Sequence, residues 1–167
     1  MSAQIQTKPQ DLLAPELRAQ IDRETAKYPP ERKGAAVMAA LRIVQNKHGW
    51  LAPELIEAVA LYLEIPPLRA LEVATFYSMY NLAPVGKYKI DVCTNISCLL
   101  CGSDKIMAHL QGALGVKPGE TTQDGKFTLR EVECLGACVN APMLQIGTDY
   151  HENLTPAKVD EILKGLK

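Results

Sequence analysis

Cysteine spacing is the feature of this chain that most directly indicates chemistry. The 167 residues hold five cysteines, all in one stretch that reads C-x4-C-x2-C, then a gap, then C-x3-C: Cys93, Cys98, Cys101, Cys134 and Cys138. Two close thiol pairs brought together by a fold place four soft sulfur ligands around one small volume. This donor set suits an iron–sulfur cluster or a structural zinc ion.

The pairing of the cysteines bears on which four of them are ligands. The C-x4-C-x2-C spacing alone is that of a plant-type ferredoxin, whose fourth ligand is one distant cysteine. Here the distant partner is a pair, and a two-plus-two arrangement uses both of its members. We therefore favour Cys93, Cys98, Cys134 and Cys138 as the ligands, with Cys101 as a bystander beside the following helix.

The loops that carry these thiols have further features that suit an anionic cofactor. Gly136, between Cys134 and Cys138, allows the tight turn that a C-x3-C loop needs. Backbone N–H groups in such loops turn toward the sulfurs and offset their negative charge. A helix that begins soon after Cys98 would add the positive end of its dipole.

Two other uses of the cysteines belong to different classes of protein. Four cysteines at this spacing would also hold structural zinc, which would make the chain a zinc-stabilised interaction module. A thiol oxidoreductase would rest on Cys98 and Cys101 as its C-x2-C motif and would leave the distant pair idle. The sequence offers no nucleophile and base that predict a catalytic site of its own. The histidines lack metal-ligand spacing: His48, His109 and His151.

Composition and charge indicate the broad class of protein. With 47% apolar residues the chain can bury a core without disulfides, which leaves the cysteines free for other work. A formal net charge of −1, without a long basic block, argues against nucleic acid as a partner. Residues 1–6 lack the start of a secretory signal, and no apolar run of about 18 residues predicts a membrane span. We therefore expect a reducing, cytosol-like compartment and no direct membrane insertion.

Residues 1–84 show the periodicity of helices. Prolines and a glycine set the predicted boundaries of four helices: Pro15 to Pro29-Pro30, about Arg32 to Gly49, after Pro53, and after Pro66-Pro67. Apolar residues recur at helical spacing in each: Leu17, Ile21 and Tyr28; Val37, Met38, Leu41 and Val44; Leu55, Ile56, Val59, Ala60 and Leu63; Leu68, Leu71, Ala74 and Tyr77. Phe76, Tyr77 and Tyr80 are expected to be packing residues. The pattern predicts a small helical bundle.

Residues 85–167 alternate strands with helices. The predicted elements are a strand with Tyr88, Ile90 and Val92, a helix from Ser103 or Asp104 to Gly115, a strand from Phe127 to Val132, a short strand from Met143 to Ile146, and a helix starting at Thr155-Pro156. The first strand delivers Cys93, and the second ends near Cys134. This order predicts a compact α/β sheet domain with both cysteine pairs in loops at one end.

Several segments also resemble a known family. The second half contributes Cys93-Thr94-Asn95-Ile96-Ser97-Cys98, Gly102-Ser103-Asp104, residues 117–122 and 124–129, residues 133–138, and Ala141-Pro142-Met143. The first half contributes Ile43-Val44-Gln45, Gly49-Trp50 and residues 73–77. Together they resemble the E-type subunit of bacterial NADH-quinone oxidoreductase, which is the small [2Fe-2S] subunit of respiratory complex I. The resemblance covers nearly the whole chain, and Cys101 departs from the family's pattern.

The resemblance implies an α+β architecture, with an N-terminal helical bundle in residues 1–84 and a thioredoxin-like [2Fe-2S] ferredoxin domain in residues 85–167. It implies that a [2Fe-2S] cluster is bound by the four positions matching Cys93, Cys98, Cys134 and Cys138. It also implies docking on the flavin- and NADH-binding subunit of the same complex, with one electron exchanged between cluster and flavin. The expected location is the peripheral arm of a respiratory-chain complex, on the cytoplasmic side of the inner (plasma) membrane. The similar E-type subunits of NAD-linked hydrogenases and formate dehydrogenases are the alternative.

Two smaller expectations complete the interpretation. Thioredoxin-like folds often place a cis proline near their active end, and Pro142 lies close to the second cysteine pair. We therefore predict a cis bond between Ala141 and Pro142. The sequence has no glycine-rich phosphate loop, which indicates that NADH and flavin bind elsewhere.

Overall fold

The computed structural model describes residues 12–166 of the chain. The expectation about a secretory signal concerns residues 1–6, which lie outside this range. Contacts along the chain separate two compact units, and the division falls between Pro84 and Val85. In the described part of the chain, no helix has both the length and the apolar character needed to cross a membrane.

The first unit is made of helices whose starts are set largely by proline. Its elements are α1 (Pro15–Thr25), a 3-10 segment (Pro30–Ala36), α2 (Val37–His48), α3 (Pro53–Tyr62) and α4 (Pro67–Phe76). Proline is the first residue of α1, α3 and α4, where its missing N–H costs no hydrogen bond. Gly49 ends α2 in the left-handed conformation at φ +83°, as predicted.

Small and aliphatic residues form the core of the helical unit. The buried set includes Ile21, Ala40, Leu41, Val44, Leu51, Ala58, Val59, Ala60, Leu63, Ala70, Ala74 and Tyr80. The predicted inward faces of α2 and α3 agree with it. In α1 and α4 the predicted faces are right in part, since Leu17, Ile21 and Ala74 are buried. Tyr28 is exposed because α1 ends at Thr25, and Leu68 and Leu71 are exposed because α4 packs through Ala70 and Ala74.

The second unit combines one sheet with three helices and a 3-10 turn. Its elements are β1 (Tyr88–Cys93), α5 (Ile96–Leu100), α6 (Ser103–Leu114), β2 (Phe127–Val132), the 3-10 turn (Cys138–Asn140), β3 (Leu144–Ile146), β4 (Asp149–His151) and α7 (Pro156–Gly165). The strand order is β2-β1-β3-β4. β1 and β2 are parallel, whereas β3 is antiparallel to both β1 and β4. The predicted α+β class is confirmed.

The core of this unit lies between the sheet and α6 with α7. Aliphatic side chains from both layers meet there: Ile90, Val92, Leu129, Leu144, Ile106, Leu110 and Val159. α6 begins at Ser103 without a side-chain cap and ends at Gly115, whereas Thr155 caps α7 through a 3.3 Å bond from the Lys158 N–H. The sequence did not predict α5 or β4, each of which is too short to show a period.

Candidate metal centre

Parallel pairing brings the first and second cysteine loops to the same edge of the sheet. Cys93 is the last residue of β1 and pairs with Val132, the last residue of β2. The Thr94 N–H donates to the Val132 carbonyl at 3.0 Å, and the Cys93 Sγ donates to the Glu133 carbonyl oxygen at 3.5 Å. Cys134 is the residue after Glu133. The carboxyl ends of two neighbouring parallel strands therefore deliver one cysteine from each pair to one place.

The short helix α5 positions Cys98. The Asn95 side chain accepts the Ile96 N–H at 2.9 Å, and the Asn95 carbonyl accepts the Leu99 N–H at 2.9 Å, so the turn is closed at its start. Cys98 is buried and packs against Cys93. Cys101 follows α5, and its side chain is exposed.

The second loop carries Cys134 and Cys138, both exposed. Gly136 lies between them at φ +81°, which gives the tight turn that the sequence predicted. The Tyr150 hydroxyl donates to the Leu135 carbonyl at 2.7 Å and anchors the loop to β4. The peptide bond between Ala141 and Pro142 is cis, as predicted.

An apolar floor lies under the buried thiols. Cys93, Cys98 and Met143 are packed together, with Leu135, Ala137 and Ala141 against them. Burial, together with the hydrogen bond and charge of Cys93, raises the pKa of the Cys98 thiol to about 11. A backbone hydrogen bond from Met143 lowers this pKa, and the charge of Cys138 adds to the increase.

Whether these residues fit a [2Fe-2S] cluster is decided by the chemistry of the donors. All five cysteines lie in the described range and have free thiols. Within residues 12–166, no three His, Cys, Asp or Glu side chains form a group that could hold a metal ion as they stand. The four predicted ligands nevertheless supply four soft sulfurs, two of them in an apolar cluster, which is the donor set that such a cofactor requires. Two of the four, Cys134 and Cys138, are on an exposed loop.

Apolar side chains also surround the thiol loops. We call the group Ile96, Leu99, Leu100 and Val139 the apolar rim. Leu100 is 83% exposed and Val139 is 96% exposed, and Leu99 and Val139 directly follow Cys98 and Cys138. Sequence reasoning did not identify this rim or the contact of Met143 with the thiols. The signal in the sequence that could have revealed the rim is the apolar residue directly after Cys98 and after Cys138.

The sequence of the chain matches the model of a protein family over residues 21–167. That family is the thioredoxin-like [2Fe-2S] ferredoxin family. The chain belongs to it, and the predicted [2Fe-2S] cofactor is confirmed at the level of the family.

Curated relatives narrow the assignment. The chain is 54% identical over 139 residues to the E-type subunit of NADH-quinone oxidoreductase from Rickettsia typhi, covering 83% of this chain and 82% of that protein. It is 44% identical over 151 residues to the second E-type subunit of NADH-quinone oxidoreductase from Rhizobium meliloti, covering 90% and 89%. The predicted resemblance to this subunit is confirmed, and with it the prediction of a chain that serves a multi-subunit oxidoreductase.

A solved structure agrees at the level of the fold. A chain of the NAD+-reducing [NiFe]-hydrogenase in the H2-reduced state matches with a TM-score of 0.65 and 21% identity. The match covers 75% of this chain and 22% of the hydrogenase chain. The shared fold recurs there as one part of a much longer polypeptide.

Proposed function

We propose that this chain is the electron-carrying E-type subunit of an NADH-quinone oxidoreductase, with its [2Fe-2S] cluster bound by Cys93, Cys98, Cys134 and Cys138. When bound, the cluster takes up and releases one electron at a time. The observation that carries this assignment is the delivery of Cys93 and Cys134 to one edge by the parallel strands β1 and β2. The packing of Cys93 against Cys98 in one buried cluster supports it.

We further propose that the chain docks on the flavin- and NADH-binding subunit of the same complex, which we call the flavoprotein subunit, and exchanges one electron with the flavin. The apolar rim supports this part, because exposed aliphatic side chains beside a redox site exclude water when a partner covers them. Two residues of the apolar rim, Leu99 and Val139, directly follow the proposed ligands Cys98 and Cys138 in the sequence. A partner on the rim would therefore bring its own redox group close to the cluster.

The division of the chain after Pro84 fits a proposal of two domains, a helical bundle in residues 1–84 and the thioredoxin-like domain in residues 85–167. We place the chain in the peripheral arm of the membrane-bound complex, on the cytoplasmic side of the inner (plasma) membrane. The relatives from Rickettsia typhi and Rhizobium meliloti support this placement through the complex that their names specify.

The alternative is an E-type subunit of an NAD-linked hydrogenase or formate dehydrogenase. The fold match to a hydrogenase chain fits both interpretations, but the 54% identical relative is a quinone-linked subunit and favours the first. A zinc-stabilised interaction module uses the same four thiols. The metal itself separates that module from an electron carrier, since zinc has no visible spectrum.

Anaerobic metal and sulfide analysis of the purified chain, with a visible spectrum, tests the electron-carrier assignment. We expect about two irons and two sulfides per chain and a colour that dithionite bleaches. Zinc in place of iron, or a colourless protein after reconstitution with iron and sulfide, would overturn the assignment. Copurification with the flavoprotein subunit of NADH-quinone oxidoreductase, compared with that of an NAD-linked hydrogenase, decides between the two complexes.

A further inference from the structure

Residues 150–154, which we call the bracing segment, hold no cysteine but are bonded to the second cysteine loop at two places. Near the start of the loop, the Tyr150 hydroxyl donates to the Leu135 carbonyl at 2.7 Å. Beyond the end of the loop, the Asn153 N–H donates to the Asn140 carbonyl at 2.7 Å. One short segment therefore holds the loop near its start and just beyond its end.

A side-chain bond and a further backbone bond add to the contact beyond the loop. The Asn140 side-chain amide donates to the Glu152 carboxylate at 2.8 Å. The Leu154 N–H donates to the Pro142 carbonyl at 3.0 Å. Asn140 is thus bonded to the bracing segment through its backbone and through its side chain.

The bracing segment is itself fixed to the body of the second unit. Leu154 is 5% exposed and belongs to the core between the sheet and the helices. The Lys158 ammonium, on α7, donates to the Glu152 carbonyl at 2.6 Å. Tyr150 lies in β4, which pairs with β3. The cysteine loop can therefore open only by breaking its hydrogen bonds to this fixed segment.

We propose that the bracing segment holds Cys134 and Cys138 in the conformation that binds the cluster, and that Tyr150 and Glu152 are positioning residues that slow the loss of a bound cluster. The inference rests on the proposed function in one respect, the role of Cys134 and Cys138 as ligands. These two thiols are exposed, whereas those of the first pair are buried. Loss of iron should therefore begin at the exposed pair and require the loop to open.

Iron loss to a chelator tests the role of Tyr150. The protein is reconstituted anaerobically with iron and sulfide, and its visible absorbance is followed after excess chelator is added. Tyr150→Phe removes only the hydroxyl and should lose iron about fivefold faster, which is the scale of one hydrogen bond. Tyr62→Phe is the matched control, since it removes a hydroxyl that donates to Asp22 over the same 2.7 Å in the helical unit. Equal rates for Tyr150→Phe and the unsubstituted protein overturn the role of Tyr150.

Two substitutions of one residue test the role of Glu152. Glu152→Ala removes the acceptor of the Asn140 side chain and should also speed iron loss about fivefold. Glu152→Gln keeps a side-chain oxygen that accepts the same N–H, so it should restore the rate to within about twofold of the unsubstituted protein. Loss as fast in Glu152→Gln as in Glu152→Ala, or no acceleration in Glu152→Ala, overturns the role of Glu152.

A buried threonine separates positioning of the loop from the stability of the whole unit. Thr128 is 3% exposed, and its hydroxyl accepts the Gly86 N–H at 2.6 Å near the start of β2, at the other end of the strand from the cysteine loop. Thr128→Val should lower the urea midpoint of unfolding at least as much as Tyr150→Phe, with iron loss unchanged. Equal acceleration of iron loss in Thr128→Val and Tyr150→Phe would show that the rate follows global stability, and it overturns the proposal.

Failure of the proposed function has a different signature. An unsubstituted chain that binds no iron and sulfide, or Cys134→Ala and Cys138→Ala variants that keep an unaltered cluster spectrum, removes these cysteines from the ligand set and overturns the inference with it. Cluster loading that depends on both cysteines, combined with unchanged rates in Tyr150→Phe and Glu152→Ala, leaves the electron-carrier assignment in place and rejects only the bracing segment.

Discussion

The five cysteines differ in burial in a way that their spacing does not show. Cys93 and Cys98 are buried in one cluster, whereas Cys101, Cys134 and Cys138 are exposed. β1 and α5 fix the buried pair, and a turn around Gly136 holds the exposed pair. We therefore infer that the first pair anchors a cluster and that the second pair closes around it.

Substitution separates Cys98 from its neighbour Cys101. Cys98→Ala should lose most of the cluster, because it removes a proposed ligand that is buried, while Cys101→Ala should retain it because Cys101 is outside the proposed ligand set. Iron and sulfide per chain after anaerobic reconstitution measure the difference. The ligand set is wrong if Cys101→Ala loses the cluster and Cys98→Ala keeps it. Circular dichroism of both variants controls for folding.

Residue types and spacing were enough to predict a set of four ligands, because the chemistry of thiols depends little on the rest of the fold. They were not enough to indicate Met143. Its contact with Cys93 and Cys98 comes from tertiary packing, which a single methionine in the sequence does not reveal. Only the path of the chain after Pro142 brings this residue against the two buried cysteines.

At the scale of the elements, the cysteine loop depends on the conformation of one glycine. Gly136→Ala should destabilise the loop by about 1–2 kcal/mol, since φ is +81° and an L side chain is strained there. An added Cβ would meet no heavy atom within 4 Å, so the cost comes from the backbone alone. Faster loss of iron to a chelator, compared with the unsubstituted protein, measures this effect.

Gly112 provides the matched control. It lies within α6, and a Cβ added there also meets nothing within 4 Å. Gly112→Ala should therefore stabilise the unit by about 0.5–1 kcal/mol through helix propensity, with no change in iron retention. Urea denaturation followed by circular dichroism measures the gain. Equal iron loss in the Gly112 and Gly136 variants would contradict the role assigned to the Gly136 turn.

The cap of α7 gives a separate prediction about stability. Thr155 accepts the Lys158 N–H at 3.3 Å, so Thr155→Ala should cost about 1 kcal/mol. Thermal unfolding should show a lower midpoint, and Thr155→Ser should restore most of it because the hydroxyl remains. If Thr155→Ala unfolds at the same midpoint as the unsubstituted chain, the hydrogen bond between Lys158 and Thr155 contributes no stability.

The residues at which helices begin with proline or end with glycine could be predicted, because both residue types act on the local backbone. The full extent of the buried faces of α1 and α4 could not, since it depends on where a helix ends and on what it packs against. Tyr28 lies beyond the end of α1, and the small Ala70 and Ala74 form the close contact of α4 in place of Leu68 and Leu71. The end of α1 decided the first case, and tertiary packing of α4 decided the second.

At the scale of the whole molecule, each unit carries exposed apolar side chains. The second unit carries the apolar rim. The first, helical unit carries a group of exposed apolar residues on and after α4 that includes Leu68, Phe76 and Met79. Phe76, expected to be a packing residue, is 79% exposed. Apolar exposure of this extent is typical of a protein that functions within a larger assembly.

A charge placed on the rim should weaken docking on the flavoprotein subunit. Leu100→Lys should lower the affinity at least tenfold with the cluster retained, because a buried unpaired lysine opposes binding. Biosensor measurements with the purified flavoprotein subunit give the affinity. Gln123→Lys is the matched control, since it adds the same charge at an exposed turn of the same unit. Equal affinities for the two variants would exclude the rim from the interface.

The parallel pairing of β1 and β2 also affects where the chain can accept insertions. A chain that leaves β1 must cross over the sheet before it enters β2, and α6 with the turn around Gln123 fills that path. The number of residues between the two cysteine pairs is therefore a property of the crossover and not of the metal centre. Insertions can accumulate there in the course of evolution, and a peptide tag placed at Gln123 would leave both strand ends undisturbed.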